Sequence, residues 1–166
     1  MHSSFYLSPH TVSIGLIGPG TVGGVLLDQM ASQVQRLSRD LKLDLRVRGV
    51  MSSKRMHLSD TEVPLHRWRD ATAAKSEDAD LTRFAEHVRA DHLPHAIIID
   101  CSSSSEVAAR YPAWLASGIH IVTPNKKANS SELELYARLH EARRELRVRH
   151  VRIDRHAAEI EAFLHR

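Results

Sequence analysis

The sequence has little cysteine and no long apolar run, and each shortage excludes a class of protein. The single cysteine, Cys101, rules out an intrachain disulfide and a cysteine-rich zinc site. No apolar run approaches the roughly 20 residues that cross a membrane. The first residues also lack the basic start and apolar block of a secretory signal. With 166 residues, 42% of them hydrophobic, the chain is expected to be a soluble, cytoplasmic protein with one ordinary domain.

An excess of charge of one sign is also small, since 23 Lys and Arg nearly balance 20 Asp and Glu. Within residues 138–166 the arginines alternate with glutamate, leucine and valine, which does not resemble a basic tail. We interpret this segment as a solvated face and expect neither nucleic acid nor a membrane as a partner. The 12 histidines are scattered without partners at metal-binding spacing. We therefore interpret them as surface residues and predict no metal site.

Apolar residues follow two periodicities along the chain, one typical of buried strands and one typical of one-sided helices. Strands are predicted at residues 12–18, 45–51, 96–100, 118–123 and 146–153. Helices are predicted at residues 21–39, 79–91, 104–117, 130–145 and 155–164. Residues 52–80 are irregular, with a short strand expected near Val63. The alternation predicts an α/β fold of the Rossmann type: a doubly wound, mainly parallel sheet with helices on both faces.

The first predicted helix has apolar residues three and four apart, which predicts one buried face. Its expected members are Val22, Val25, Leu26, Met30, Val34 and Leu37.

The loop before this helix is a G-x-G-x-x-G motif that directly follows the first strand. It reads Gly18, Pro19, Gly20, Thr21, Val22, Gly23. Gly18 permits the tight turn, Gly20 clears the approach of a pyrophosphate, and Gly23 allows helix and strand to pack closely. The helix N-terminus adds N–H groups and a partial positive charge. The motif therefore predicts a dinucleotide site; the alternative is a glycine turn that binds nothing.

The second strand is expected to end near the adenosine ribose of that dinucleotide. NAD-binding proteins usually place an acidic residue there to hold the ribose 2′-hydroxyl. Here the strand is followed by Ser52, Ser53, Lys54 and Arg55, and Asp44 lies at its other end. Hydroxyls and cations would accept a 2′-phosphate, so the sequence favours NADP, with NAD as the alternative. The alternative is that Lys54 and Arg55 are only surface residues of a solvated loop.

Two further loops follow strands and are expected to line the same cleft. Ser102 and Ser103 belong to a run of four serines, of which helix capping explains only one. Cys101 has no evident base beside it, so we interpret it as a small cleft-lining residue rather than a nucleophile. In the last loop Asn125 precedes Lys126, whose ammonium could protonate or stabilise a developing alkoxide. A pair of surface lysines is the equally weighted alternative.

Three stretches, VSIGLIGPGTVGGVLLDQM, IIIDCSSSSEVAARY and GIHIVTPNKKANS, resemble the nucleotide-binding domain of homoserine dehydrogenase. The resemblance is strongest to the form fused behind aspartokinase. That family interconverts aspartate 4-semialdehyde and homoserine with NAD(P)H, on the route to threonine and methionine. The resemblance implies that residues 18–23 bind the pyrophosphate, that Ser102 and Ser103 lie beside the nicotinamide ribose, and that Lys126 is the catalytic-site lysine.

The resemblance also suggests how the chain is divided. Residues 1–10 resemble a linker, residues 11–146 the NAD(P)-binding domain, and residues 147–166 a strand and helix tail outside the family pattern. The family's V-G-x-G-x-P segment does not occur, so we expect this chain alone to be inactive. Aspartate 4-semialdehyde would be its substrate only with a substrate domain supplied, and a homodimer is one option for its assembly. The alternative is a non-catalytic dinucleotide-binding module or decayed fragment.

Overall fold

A computed structural model describes residues 10–125 and Glu141. Its strands are β1 Thr11–Ile17, β2 Asp44–Met51, β3 Arg55–Leu58, β4 Glu77–Asp78, β5 His95–Asp100 and β6 Ile119–Val122. Its helices are α1 Thr21–Leu41, α2 Trp68–Ala74, α3 Leu81–Arg89 and α4 Ser105–Ala116, with a 3-10 turn at Leu65–Arg67. The elements predicted at residues 130–145, 146–153 and 155–164 lie outside the described residues, Glu141 excepted.

The strands of the described region form one sheet in the order β4-β3-β2-β1-β5-β6. β1 pairs in parallel with β2 on one side and β5 on the other, and β5 pairs in parallel with β6. β3 and β4 extend the β2 edge antiparallel. The chain moves outward from β1 to β2 and later returns to β5, so the strand order reverses beside β1. This is the mainly parallel, Rossmann-type fold that the alternating pattern predicts, and ligands bind at such a reversal.

Side chains of successive strand residues point to opposite faces of the sheet, and each face has its own core. On one face α3 and α4 cover the sheet; this core includes Ile17, Met51, Phe84, Ile98, Trp114 and Ile119. On the other face lie residues of α1 and the 65–74 region; this core includes Leu16, Leu27, Val47, Val50, Val63 and Trp68. Burial on both faces explains why the central strands read as nearly continuous apolar runs.

Residues 52–80 contain more regular structure than their sequence predicts. The strand expected near Val63 is not formed; instead Val63 is buried in a loop, and its amide donates to the Val47 carbonyl at 2.6 Å. The extra strands are β3, which turns back onto β2 after residues 52–54, and β4, which pairs with β3. Strands of two to four residues carry too few alternating positions to be recognised from periodicity alone.

The buried face of α1 is rotated from the expected one. Val22 and Val25 are 60% and 52% exposed, whereas Gly23, Gly24 and Leu27 are buried. Gly23 lets the start of the helix approach the glycine turn and β1, and Gly24 faces Trp68 and Arg69, so the apolar side chains next to them are turned outward. The interpretation of Val22 and Val25 as core residues was therefore wrong.

One histidine also departs from its expected surface position. His57 on β3 is only 8% exposed, and its Nδ1 lies within hydrogen-bond distance of the Lys75 carbonyl. The interpretation of all the histidines as surface residues was wrong at this position, because β3 was not predicted as part of the sheet.

Two strand glycines make room for one aromatic ring. Gly15 of β1 and Gly49 of β2 are partners in the sheet register, and Phe84 of α3 is fully buried against both. A Cβ added at Gly15 would lie 2.5 Å from Val88 Cγ2 and 2.7 Å from Phe84 Cε1. At Gly49 it would lie 2.7 Å from Phe84 Cε2. The distance between α3 and the sheet therefore depends on both glycines.

We expect Gly15→Ala to lower the free energy of unfolding by about 1–3 kcal/mol, because the added methyl overpacks a core that cannot move aside. Gly24→Ala is the matched control, since a Cβ there would make only ordinary contacts, the nearest at 3.5 Å. Alanine within a helix should raise stability by roughly 0.5–1 kcal/mol. Urea unfolding measures both. Equal effects of the same sign would contradict this account of the Phe84 packing.

Candidate functional site

The carboxyl ends of β1, β2 and β5 converge on Gly18. Its amide donates to the Met51 carbonyl at 2.8 Å, and the Cys101 amide donates to the Ile17 carbonyl at 2.8 Å. Gly18 has φ +83°, a conformation that side chains disfavour. A Cβ there would lie 2.8 Å from the Ser102 amide nitrogen. Glycine is thus required both for the turn and for the close approach of the loop after β5.

The other two glycines of the motif differ in how closely neighbouring atoms pack around them. A Cβ at Gly23 would lie 2.2 Å from the Gly18 carbonyl oxygen, so Gly23 allows α1 to pack against the turn. A Cβ at Gly20 would meet nothing within 4 Å. Packing of the described residues therefore does not require glycine at position 20. The open space beside its backbone is what the close approach of a pyrophosphate requires.

The N-terminus of α1 carries no side-chain cap. Its N-cap is Gly20, and no acidic residue lies in the first turn. By contrast, Asp80 accepts from two amides at the start of α3, and Ser104 accepts from the Val107 amide at the start of α4. The first amides of a helix need acceptors, and an anionic group at this end also meets the positive end of the helix dipole. The start of α1 therefore suits phosphate oxygens.

A cavity of about 240 Å³ lies at the carboxyl end of β2, next to the glycine loop. Its lining residues are Pro19, Val50, Ser52, Arg55, Met56, His57, Thr72, Ala73 and Ser76. None of them is acidic, and Asp44 lies at the opposite end of β2, paired with Arg46 at 2.8 Å. His57, Thr72 and Ser76 were not predicted, because they lie on β3, on α2 and just before β4, which meet beside the loop only in the folded structure.

The predicted residues after β2 take different roles in the turn. The Ser52 hydroxyl accepts from the Arg55 amide at 3.0 Å and donates to the Arg55 carbonyl at 3.0 Å, closing the hairpin. Ser53 and Lys54 lie exposed at its tip. The Arg55 guanidinium contacts Asp78 at 2.7 Å and the Ser76 hydroxyl at 3.2 Å. Lys54 is thus an exposed cation at this edge, whereas Arg55 is held by an acid.

The serine loop after β5 lies directly against the glycine turn. Ser103 is exposed, and the Ser102 hydroxyl accepts from the Ser104 amide at 3.2 Å. Ser104 is the serine that caps α4, as capping predicts for one member of the run. Burial raises the pKa of the Cys101 thiol, and the charge of Asp100 raises it further. Since the thiolate is the nucleophile, this supports the interpretation of Cys101 as unreactive.

A buried polar cluster joins the loops that follow β5 and β6, and sequence reasoning missed it. Asp100 is fully buried; one carboxylate oxygen accepts from the Ser102 amide at 2.8 Å. The other accepts from the Tyr111 hydroxyl and from the Asn125 amide group at 3.2 Å. The Asn125 side chain also donates to the Ser104 carbonyl at 3.1 Å. Asn125 therefore points inward, and Lys126, next in the chain, lies outside the described residues.

Residues 10–125 contain neither a metal-binding cluster nor a helix suited to crossing a membrane. Within them no group of three or more His, Cys, Asp or Glu side chains is arranged to hold a metal ion. None of their helices combines the length and apolar character needed to cross a membrane.

The glycine turn, the open start of α1 and the flanking loops match a known domain. A family model described as the NAD-binding domain of homoserine dehydrogenase matches residues 18–152. The chain belongs to the homoserine dehydrogenase family. The match ends a little beyond the expected boundary at 146, and the division of the chain remains a prediction.

Curated relatives support this membership. The chain is 47% identical over 140 residues to a bifunctional aspartokinase/homoserine dehydrogenase of Daucus carota, covering 84% of this chain and 15% of that protein. It is 43% identical to a relative of the same description from Arabidopsis thaliana, covering 87% and 16%. The chain thus spans about 15% of the length of these relatives. The resemblance to the fused enzymes is confirmed, as is a nicotinamide dinucleotide as the cofactor class.

Solved structures agree on the fold. A homoserine dehydrogenase from Thermoplasma acidophilum has a TM-score of 0.57 at 15% identity, covering 80% of this chain and 41% of that chain. A hyperthermophilic archaeal homoserine dehydrogenase in complex with NADPH has a TM-score of 0.54 at 24% identity, covering 80% and 42%. These likenesses support the Rossmann-type architecture.

We expect Gly20→Val to abolish dinucleotide binding while changing the free energy of unfolding by at most about 1 kcal/mol, a typical cost of altering an N-cap. The valine would occupy the open space that the pyrophosphate needs. Gly23→Ala is the comparison, because its Cβ would meet the Gly18 carbonyl, so it should reduce both stability and binding. Cofactor fluorescence titration and urea unfolding measure the two properties. Wild-type binding by Gly20→Val would contradict this assignment.

Proposed function

We propose that this chain is the NADP-preferring cofactor domain of a homoserine dehydrogenase, in which it serves the interconversion of aspartate 4-semialdehyde and homoserine. The observation that supports it most directly is the cavity at the end of β2. No acidic side chain lines it, and hydroxyls, an imidazole and Arg55 surround it. A carboxylate there would hold a ribose 2′-hydroxyl but repel a 2′-phosphate.

Each end of the cofactor would meet a different part of the chain. The start of α1 and Gly20 would receive the pyrophosphate, and the end of β2 with Ser53 and Lys54 the adenosine ribose. The loop carrying Ser102 and Ser103 would flank the nicotinamide. The nicotinamide supplies the hydride when the cofactor is bound. In this proposal the Lys126 ammonium supplies the proton, or the positive charge, that the carbonyl oxygen needs as it is reduced.

Other properties of the whole protein remain proposals as well. We propose the dinucleotide as the partner of this domain, with a homodimer as the assembly to test, and keep the cytoplasm as the expected compartment. The relatives from Daucus carota and Arabidopsis thaliana are described as chloroplastic. Fractionation of the source cells would decide the compartment.

We expect NADPH to bind more tightly than NADH, and Lys54→Ala to weaken NADPH about tenfold, or ~1.4 kcal/mol. NADH affinity should not change, because NADH lacks the 2′-phosphate that the ammonium would contact. Arg39→Ala removes an exposed cation from the last turn of α1 and is the matched control. Fluorescence titrations of both cofactors with all three proteins measure the effect. Equal affinities of the parent for NADPH and NADH would refute the preference.

We expect the 166-residue chain alone to show little or no turnover of aspartate 4-semialdehyde with NADPH. Holding the reactants together contributes about 7–11 kcal/mol to lowering a barrier, and one lysine cannot fix both ends of a small amino-acid aldehyde. With a complementary substrate domain supplied, activity should return, and Lys126→Ala should lower kcat more than it weakens NADPH binding.

Two experimental results would change the proposed function. Normal turnover by the chain alone would mean that residues 147–166 take the place of the substrate domain. Tight cofactor binding without turnover, even with a substrate domain supplied, would favour the alternative of a non-catalytic dinucleotide-binding module.

A further inference from the structure

Asp100 is an acidic side chain that is fully buried at the end of β5. The groups that its carboxyl oxygens accept from are an amide, a hydroxyl and a carboxamide. A carboxyl group is costly to bury unless hydrogen bonds or an opposite charge compensate it. The hydrogen bonds to Asp100 therefore hold the segments that supply them in one arrangement around it.

The partners of Asp100 come from three separate segments. Ser102 belongs to the loop after β5, Tyr111 to α4, and Asn125 to the loop after β6. Without the carboxylate, the Tyr111 hydroxyl and the Asn125 side chain would lose a shared acceptor. Burial and the bond to Asp100 both raise the pKa of Tyr111, so its hydroxyl stays protonated and donates.

Thr123 adds a second hydrogen-bonded connection between the same loops. Its hydroxyl donates to the Asp100 carbonyl at 2.7 Å and accepts from the Asn125 amide at 2.8 Å. The backbone of Asn125 is thereby fixed as well as its side chain. Lys126 follows Asn125 directly in the sequence, so this cluster fixes the residue that precedes the lysine.

We propose that Asp100, Tyr111 and Thr123 are positioning residues, which hold the loops after β5 and β6 in the arrangement that receives the nicotinamide half of the cofactor. They act through Ser102, Ser103 and Asn125 and touch no ligand themselves. This inference rests on the proposed function, since it assigns the nicotinamide to these loops. The adenosine half would instead meet the glycine turn and the end of β2, which lie outside the cluster.

This division gives the cluster a signature that a purely structural role lacks. Loosening the two loops should weaken ligands that contain the nicotinamide and leave ligands confined to the adenosine side unchanged. NADPH and 2′,5′-ADP form such a pair, because 2′,5′-ADP keeps the adenosine ribose and its 2′-phosphate but has no nicotinamide ribose. The ratio of their dissociation constants therefore reports on the loops.

The sharpest variants are Thr123→Val and Thr123→Ser. Valine has the shape of threonine but no hydroxyl, whereas serine keeps the hydroxyl. Calorimetric titration of the 166-residue chain should show that Thr123→Val weakens NADPH about tenfold and 2′,5′-ADP less than twofold. Thr123→Ser should retain the parent ratio. Tyr111→Phe, which removes one donor to Asp100, should shift the ratio in the same direction as Thr123→Val.

A control separates this effect from a general loss of stability. Val88→Ala removes apolar contacts from the same core on α3, an element that contributes no residue to the cluster. It should lower the melting temperature and leave the ratio unchanged. Equal weakening of both ligands by Thr123→Val, or no weakening of either, would overturn the inference. Failure of the parent chain to bind either ligand would overturn the proposed function itself, and the inference with it.

Discussion

Three strand ends meet at a single glycine, and the arrangement of the site depends on that contact. Gly18 is hydrogen-bonded to the end of β2 and lies within contact distance of the loop after β5. Any side chain there would push apart the two loops that flank the start of α1. The same turn is closed from the other side by Gly23. The space beside Gly20 stays open because the backbone around it is held so closely.

The glycine turn and the Asp100 cluster hold neighbouring strand ends together in different ways. The turn achieves close packing by removing side chains, so its geometry needs few side-chain hydrogen bonds. The loops after β5 and β6 are instead joined by side chains that must find one another across the sheet edge. Such polar networks specify one arrangement when every member is satisfied, and they are costly when one member is lost.

Local patterns in the sequence predicted the parallel part of the fold well. β1, β2 and β5 each contain an apolar stretch that is largely buried, and α1, α3 and α4 carry the spacing of one-sided helices. The β2–β3 hairpin escaped prediction because β3 has only four residues. The exposure of Val22 and Val25 escaped because glycines, which carry no hydropathy signal, form the buried side at the start of α1. Phe84 could not be matched with Gly15 and Gly49 without knowledge of the sheet register.

In the candidate site, as in the fold, features set by local sequence were predictable and features set by distant residues were not. Gly18, Gly20 and Gly23 act within one turn, so their spacing alone conveys their roles. Asp100 binds partners 11 and 25 positions away, and nothing in the local sequence separates it from any acidic residue at the end of a strand. Thr72 lies on α2 and Ser76 just before β4, and only the folded arrangement of these elements brings them to the cavity.

The distribution of charge around the site follows from these contacts. The positive end of the α1 dipole and the exposed Lys54 lie toward the glycine turn and the end of β2. Asp100 is fully buried at the end of β5, and its charge adds to the effect of burial in raising the pKa of the adjacent Cys101 thiol. An elongated ligand with its phosphates near α1 therefore meets positive potential at that end. Because a carboxylate disfavours a second negative charge nearby, the phosphates of such a ligand are better placed at the α1 end than beside Asp100. The proposed orientation of the dinucleotide is thus consistent with the charges of the described residues as well as with the open space beside Gly20.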